Sequence, residues 1–235
     1  DVIRKSCRKE GCIVRFYHIG KDFLPIENMP LDKFILYINY FGLCDKNCKI
    51  LKEKYPNLII DNTQAFYSKC RGVASFNSLR KFFDVQNGAY LYIDKTLDTK
   101  FDRDDLSFIP VSMQENYIKF VENELLLNNQ DIKLISDNVD EKMKNIDFET
   151  DKKQRLDLFR KFHNKYGKFN LIKLAPSEEE VPYCYPLCTN NIDIQKQISD
   201  KNIPLLRLWE DIPKEFIEHE FLNNTVALPL IDKYL

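Results

Sequence analysis

Glycine is scarce in this sequence, with six in 235 residues, and no two stand close enough to build a Gly-rich phosphate loop of the dinucleotide or Walker type. An excess of one charge is missing too. Thirty-five Lys and Arg face 36 Asp and Glu, which leaves no electrostatic footprint for nucleic acid or an anionic membrane. No apolar run approaches the roughly 18 residues that a membrane helix needs. The opening Asp1-Val-Ile-Arg-Lys5 has no signal-peptide pattern and no initiator Met. Histidine is limited to His18, His163 and His219, which have neither metal nor triad spacing, and no G-x-S-x-G turn is present. His18 reads as a structural residue in an extended run and His163 as a solvent-facing helix residue. The seven cysteines are an odd number. Cys44/Cys48 and Cys184/Cys188 are each four apart, wider than the usual zinc knuckle, so the expectation is reduced thiols in a cytoplasmic protein and no metal.

What is present is apolar and strongly aromatic, 44% and 13% of residues, enough for a substantial core. Residues 1–10 suit a helix ending at Gly11, and Cys12 to Ile19 is β-rich. Phe34 to Phe41 is almost wholly apolar, as in a parallel strand buried on both faces. Gly42 breaks it, a lysine-rich helix follows over Asp45 to Tyr55, and Leu58-Ile-Ile60 is the next buried strand, ending at Asp61. Two more β-type runs cover Gly72 to Phe76 and Gly88 to Ile93. This alternation predicts an α/β fold with a largely parallel sheet and flanking helices. Asp94 to Asp105 is a solvated connection, and helices are expected at 112–128 and 151–166. In the second, Leu156, Phe159, Phe162 and Tyr166 recur at helical steps before a candidate cap at Gly167. Strands are expected at Phe169–Leu174, Val181–Thr189, Leu205–Trp209 and Thr225–Leu230, around short helices. The organisation expected is a large domain over 1–110, then connecting helices and a smaller α+β domain over 111–235.

In open α/β sheets, ligands bind beyond the carboxyl ends of the strands. Three such ends carry functional groups here: Tyr40-Phe-Gly42, Asp61-Asn-Thr-Gln64, and Ser75-Phe-Asn-Ser78-Leu-Arg-Lys81 with Gly88 seven residues further on. A carboxylate at a buried strand end needs a positive or hydrogen-bonding partner. A pyridinium nitrogen would suit Asp61, because the pair keeps the ring protonated, and a protonated ring is the electron sink of pyridoxal phosphate (PLP) chemistry. A nearby lysine could hold the cofactor and shuttle a proton, while serines and backbone N–H groups could hold its phosphate.

These segments, Phe34 to Gly42, Leu58 to Ala65 and Ser75 through Lys81 to Gly88, resemble the DegT/DnrJ/StrS family of PLP-dependent sugar aminotransferases. The resemblance continues through Val181-Pro-Tyr-Cys-Tyr-Pro186, Asn202-Ile-Pro204 with Trp209, and Val226-Ala-Leu-Pro-Leu230. It implies a PLP-dependent transferase fold of type I and transfer of an amino group from glutamate to a nucleotide-linked keto sugar. It also implies a homodimer, with a place in amino sugar and cell-surface polysaccharide biosynthesis. By that resemblance Lys81 is the Schiff-base lysine and Asp61 pairs with the pyridine nitrogen. Gln64 lies near the ring hydroxyl, and Ser75 or Ser78 contacts the phosphate.

The sequence departs from the family in three places. The family interval from serine to lysine is five residues, whereas Ser75 precedes Lys81 by six and Ser78 by three. That leaves Arg80 in contention for the lysine's place, where a permanently charged guanidinium could form no Schiff base. The segment with Asn and Arg that reaches the partner subunit is replaced by Asp102 to Ser112. The family's opening helix, phosphate loop and ring-stacking aromatic are missing, so the expectation is a fragment that can be inactive alone. Competing readings are a degenerate relative that binds a sugar nucleotide or a partner without catalysis, another doubly wound nucleotide-binding enzyme such as a methyltransferase or glycosyltransferase, and a plain interaction domain.

Overall fold

A computed structural model describes residues 2–85, 87–105, 131–200, 207–209 and 212–235. The first sheet holds four strands in sequence order, β1 (Ile35–Ile38), β2 (Leu58–Asn62), β3 (Ala74–Asn77) and β4 (Leu91–Ile93). The pairs β1–β2 and β2–β3 are parallel, and β4 closes on β3 antiparallel. The sheet is therefore mixed and mostly parallel. α2 (Asp45–Lys54) forms the crossover between β1 and β2. The crossover from β2 to β3 is made without a helix, by turns through residues 63–73.

Burial alternates along these strands. Ile35, Tyr37, Leu58, Ile60 and Ser75 are buried, while Leu36, Ile38, Ile59, Ala74 and Phe76 are only partly covered. One face thus sits on the core, and the other, which register assigns to Asp61, is half-covered. The apolar run around β1 predicted burial on both faces. Its second face is instead only half-covered, and Asp61 shares it.

A second sheet pairs β5 (Cys184–Cys188) antiparallel with β6 (Thr225–Pro229). Every residue of β5 is buried. Pro186 is tolerated because each strand of a two-stranded sheet has a free edge. One hydrophobic cluster joins Tyr37, Leu58 and Ile60 of the first sheet, Cys48 and Leu51 of α2, and Tyr185, Leu187 and Leu228 of the second. Phe159, Phe162 and Tyr166 enter it from α4 (Phe148–Tyr166), each burial stabilising by about 1.5–3 kcal/mol. The expected boundary near residue 110 and the helix at 112–128 lie outside the described residues.

Several local expectations need correction. α1 (Val2–Lys9) forms and stops before Gly11, but Cys12–Ile19 is not a strand. Only an isolated bridge from Ile19 to Pro25 forms there, and Ile13 and Phe16 are exposed. β-branched residues without a neighbouring strand satisfy no ladder. His18 binds buried Glu218, Nδ1 to Oε2 3.0 Å. α4 begins three residues before the predicted 151 because the Asp147 side chain accepts from the Thr150 N–H at 3.1 Å, a local cap. Gly167 closes α4 in right-handed geometry, φ −59°, and passes into a short 3-10 turn over Gly167–Phe169. The expected strand at Phe169–Leu174 is thereby lost. Arg207 to Trp209, the described end of another expected strand, are not extended in a sheet. α5 (Ile192–Asp200) and α6 (His219–Leu222) are the short helices around the second sheet.

α3 (Asp137–Lys144) was not predicted. Buried Ser136 caps it by accepting the Val139 N–H at 3.2 Å. Ser136→Ala is expected to cost about 1 kcal/mol, read as a lower urea midpoint at unchanged slope. No helix among the described residues is long and apolar enough to cross a membrane.

Candidate functional site

Asp61 ends the apolar run of β2, a central strand flanked on both sides by parallel neighbours. It is 6% exposed, and its Oδ1 accepts the Thr63 N–H at 2.8 Å. This is an Asx-type turn, in which an aspartate folds the backbone two residues on. Asp61 pairs with Ile38 and Phe76 and shares their half-covered face.

Lys81 lies in the turn after β3. That turn is fixed at one end by the Leu79 N–H on the Gly88 carbonyl, 3.0 Å, and tightened by the Phe82 N–H on the Leu79 carbonyl, 3.0 Å. The side chain is half-buried, and Nζ donates to Thr63 Oγ1 at 3.1 Å. Burial pushes its pKa below the ordinary lysine value, the Asp61 carboxylate pulls it back up, and the Arg80 guanidinium lowers it. The Cys184 thiol also faces this amine, and burial holds that thiol protonated by pushing its pKa up. Arg80 itself is exposed. Asp61 and Lys81 thus converge on one residue, Thr63, from two strand ends.

The other expected site residues do not all join them. Gln64 is buried, but its Oε1 accepts the Phe41 N–H at 2.9 Å. That bond holds Phe41 in the left-handed region, φ +59°, where a bulky residue is strained. Ser75 pairs with Ile60, on the face opposite Asp61; it is wholly buried, and its Oγ has no hydrogen-bond partner among the described residues. Ser78 is half-buried just beyond β3, on the strand end that leads to Lys81.

Sequence reasoning passed over two features, Thr63 and a buried polar group. Thr63 sat inside a quoted motif but carried no signal beyond its place two residues after an aspartate. A buried polar group secures the strand ends: Asn39 Nδ2 donates to Asp45 Oδ1 at 2.7 Å and Asn62 Oδ1 at 3.0 Å. Ser68 Oγ donates to the same Asp45 oxygen at 2.6 Å, and Glu180 Oε1 accepts the Asp45 N–H at 2.7 Å. Trp209, whose segment was singled out, packs its ring 5.3 Å from Tyr40 and 5.4 Å from Phe41.

No protein-family model matches the sequence, and no curated protein matches it. Solved structures do match. A DegT/DnrJ/EryC1/StrS aminotransferase from Brucella abortus superposes with a TM-score of 0.52 at 13% identity, over 93% of this chain and 68% of its own. AtS13 from Actinomadura melliaura gives 0.54 at 11%, over 97% and 71%. NtdA from Bacillus subtilis, solved with bound cofactor PMP, gives 0.54 at 14%, over 98% and 62%. The chain therefore spans 62–71% of the length of these proteins. Identities this low speak for the fold and leave the chemistry to the residues. Over most of its length the chain has the fold of a DegT/DnrJ/EryC1/StrS aminotransferase.

Proposed function

We propose that this chain is the catalytic-lysine part of a PLP-dependent aminotransferase that moves an amino group from glutamate to a nucleotide-linked keto sugar. The observation that carries the reading is the half-buried Lys81 amine, its pKa depressed, joined through Thr63 to the buried Asp61 carboxylate at the carboxyl end of a central strand. The donor set fits the cofactor. A buried carboxylate suits a pyridinium nitrogen, and an amine less protonated than ordinary lysine suits an aldehyde. Bound PLP supplies an electron sink that stabilises negative charge at the substrate Cα. In this reading Asp61 holds the ring nitrogen protonated, while Lys81 anchors the cofactor and then, as a free amine, takes and returns the Cα proton. Ser78 is the hydroxyl this reading assigns to the phosphate, since Ser75 lies on the face opposite Asp61. Gln64 supports the neighbouring turn, its Oε1 accepting the Phe41 N–H. The working protein is a cytoplasmic homodimer.

A second reading, a relative that holds its ligand without chemistry, is favoured by the placement of Ser75 and by Arg80 standing five residues after it. One experiment separates the two. The protein is incubated with stoichiometric PLP, reduced with borohydride and mapped by peptide mass spectrometry. The expected result is a pyridoxyl group on Lys81. Label scattered over surface lysines, or none, removes the aminotransferase reading.

A further inference from the structure

Two groups of opposite charge at the mouth of one sheet should close on each other. A half-buried ammonium near a buried carboxylate gains by direct contact, since attraction grows as distance and local dielectric fall. Asp61 and Lys81 do not make that contact, and their charged atoms stay farther apart than the 4.0 Å of an ion pair. What stands between them is Thr63. Its backbone N–H donates to Asp61 Oδ1 at 2.8 Å, and its hydroxyl accepts from Lys81 Nζ at 3.1 Å. Both ends of the residue are used, one for each partner. The backbone bond orients the carboxylate, and the hydroxyl gives the amine a polar contact that costs the carboxylate nothing.

We propose that Thr63 is a positioning residue that keeps the Lys81 amine off the Asp61 carboxylate, so that each remains available to a different end of the same ligand. This rests on the proposed function for the ligand's identity, while the spacing itself is a property of the three residues. With the hydroxyl gone, Lys81 turns to Asp61, the carboxylate whose charge already acts on it. An amine paired directly with a carboxylate is more strongly protonated, and a carboxylate so paired is lost to a pyridinium nitrogen. The other groups that face Lys81 work against this collapse or do not take part. Exposed Arg80 repels the ammonium, and Cys184 on β5 is buried and protonated.

The test reads the amine directly, without cofactor. Trace acetylation of the folded protein across a pH series, with Lys81 followed by peptide mass spectrometry, gives its titration curve. In Thr63→Val the curve is expected to move to higher pH, so that Lys81 labels about tenfold more slowly near neutrality, a shift of about one pKa unit. Thr63→Ser, which keeps the hydroxyl, restores the original curve. In Thr63→Val/Asp61→Asn the upward shift disappears, because the carboxylate that captures the amine is gone. Thr63→Ala repeats the series should the valine variant not fold. An unchanged curve in Thr63→Val or Thr63→Ala, or a shift that survives Asp61→Asn, overturns the proposal. PLP capture separates it from the functional reading. If the curves move as stated while wild-type Lys81 takes no PLP, the spacer stands and the aminotransferase reading fails. If Lys81 takes PLP but its curve ignores residue 63, the spacer fails alone.

Discussion

Lys81→Ala is expected to abolish the visible absorbance that appears when PLP is added, and to lower the half-reaction with glutamate by at least about 10⁴-fold. The size follows from one side chain holding two roles, covalent anchor and proton carrier. Lys81→Arg should fail equally, because a guanidinium keeps its charge and offers no free amine. Arg80→Ala, by contrast, should keep both signals. Arg80 is exposed, yet its charge helps to depress the Lys81 pKa, so its removal moves the pH profile of PLP capture to higher pH. If Arg80→Ala loses the absorbance and Lys81→Ala keeps it, the assignment is reversed and the aminotransferase reading ends with it. The same depressed pKa has a consequence for stability. Between its value in the fold and the ordinary 10.5, the unfolded chain binds more protons at this site. The contribution of Lys81 to stability therefore rises with pH across that window, and the cost of burying the ammonium is fully present below it.

The parts of this fold that could be read from sequence are those where one signal dominates. The apolar run at 58–60 ending in a carboxylate located β2 and Asp61 together, since only a central strand tolerates such a run and only its end tolerates the charge. The three- and four-residue steps of Phe159, Phe162 and Tyr166 located α4 for the same reason. Where signals compete, composition misled. Cys12 to Ile19 has strand composition but no partner strand, and a strand is a property of a pair. The sequence also offered Ser75 for the phosphate, with Ser78 as the alternative. Register sets Ser75 opposite Ile60, on the face away from Asp61, and no single-strand pattern contains that register. Thr63 was invisible for a different reason. Its role depends on a lysine 18 residues away. The Asn39, Asp45, Asn62, Ser68 and Glu180 group likewise joins residues up to 135 apart in the chain.

Gly42→Ala is expected to be strongly destabilising, costing about 3–5 kcal/mol. Two independent penalties meet at this position. Gly42 has φ +72°, where a residue with a Cβ loses about 1–2 kcal/mol. The added carbon would also stand 2.6 Å from the Gln64 carbonyl oxygen and 2.8 Å from that of Val181. Both are backbone atoms, so neither can swing aside as a side chain would. The turn after β1, the loop after β2 and the segment leading into β5 come together here. The Tyr183 N–H on the Phe41 carbonyl, 2.8 Å, ties the last of these to the first. Gly11 supplies the control. It has the same φ of +72° with nothing within 4 Å of its Cβ, so Gly11→Ala should cost no more than about 1–2 kcal/mol. The difference in urea midpoint between the two variants then measures the steric part alone. Because the displaced Gln64 carbonyl belongs to the loop that carries Asp61 and Thr63, Gly42→Ala should also weaken PLP capture under conditions where the variant remains folded, and Gly11→Ala should not. Equal losses from the two substitutions would show that backbone strain, and not the close approach of three segments, fixes this corner of the site.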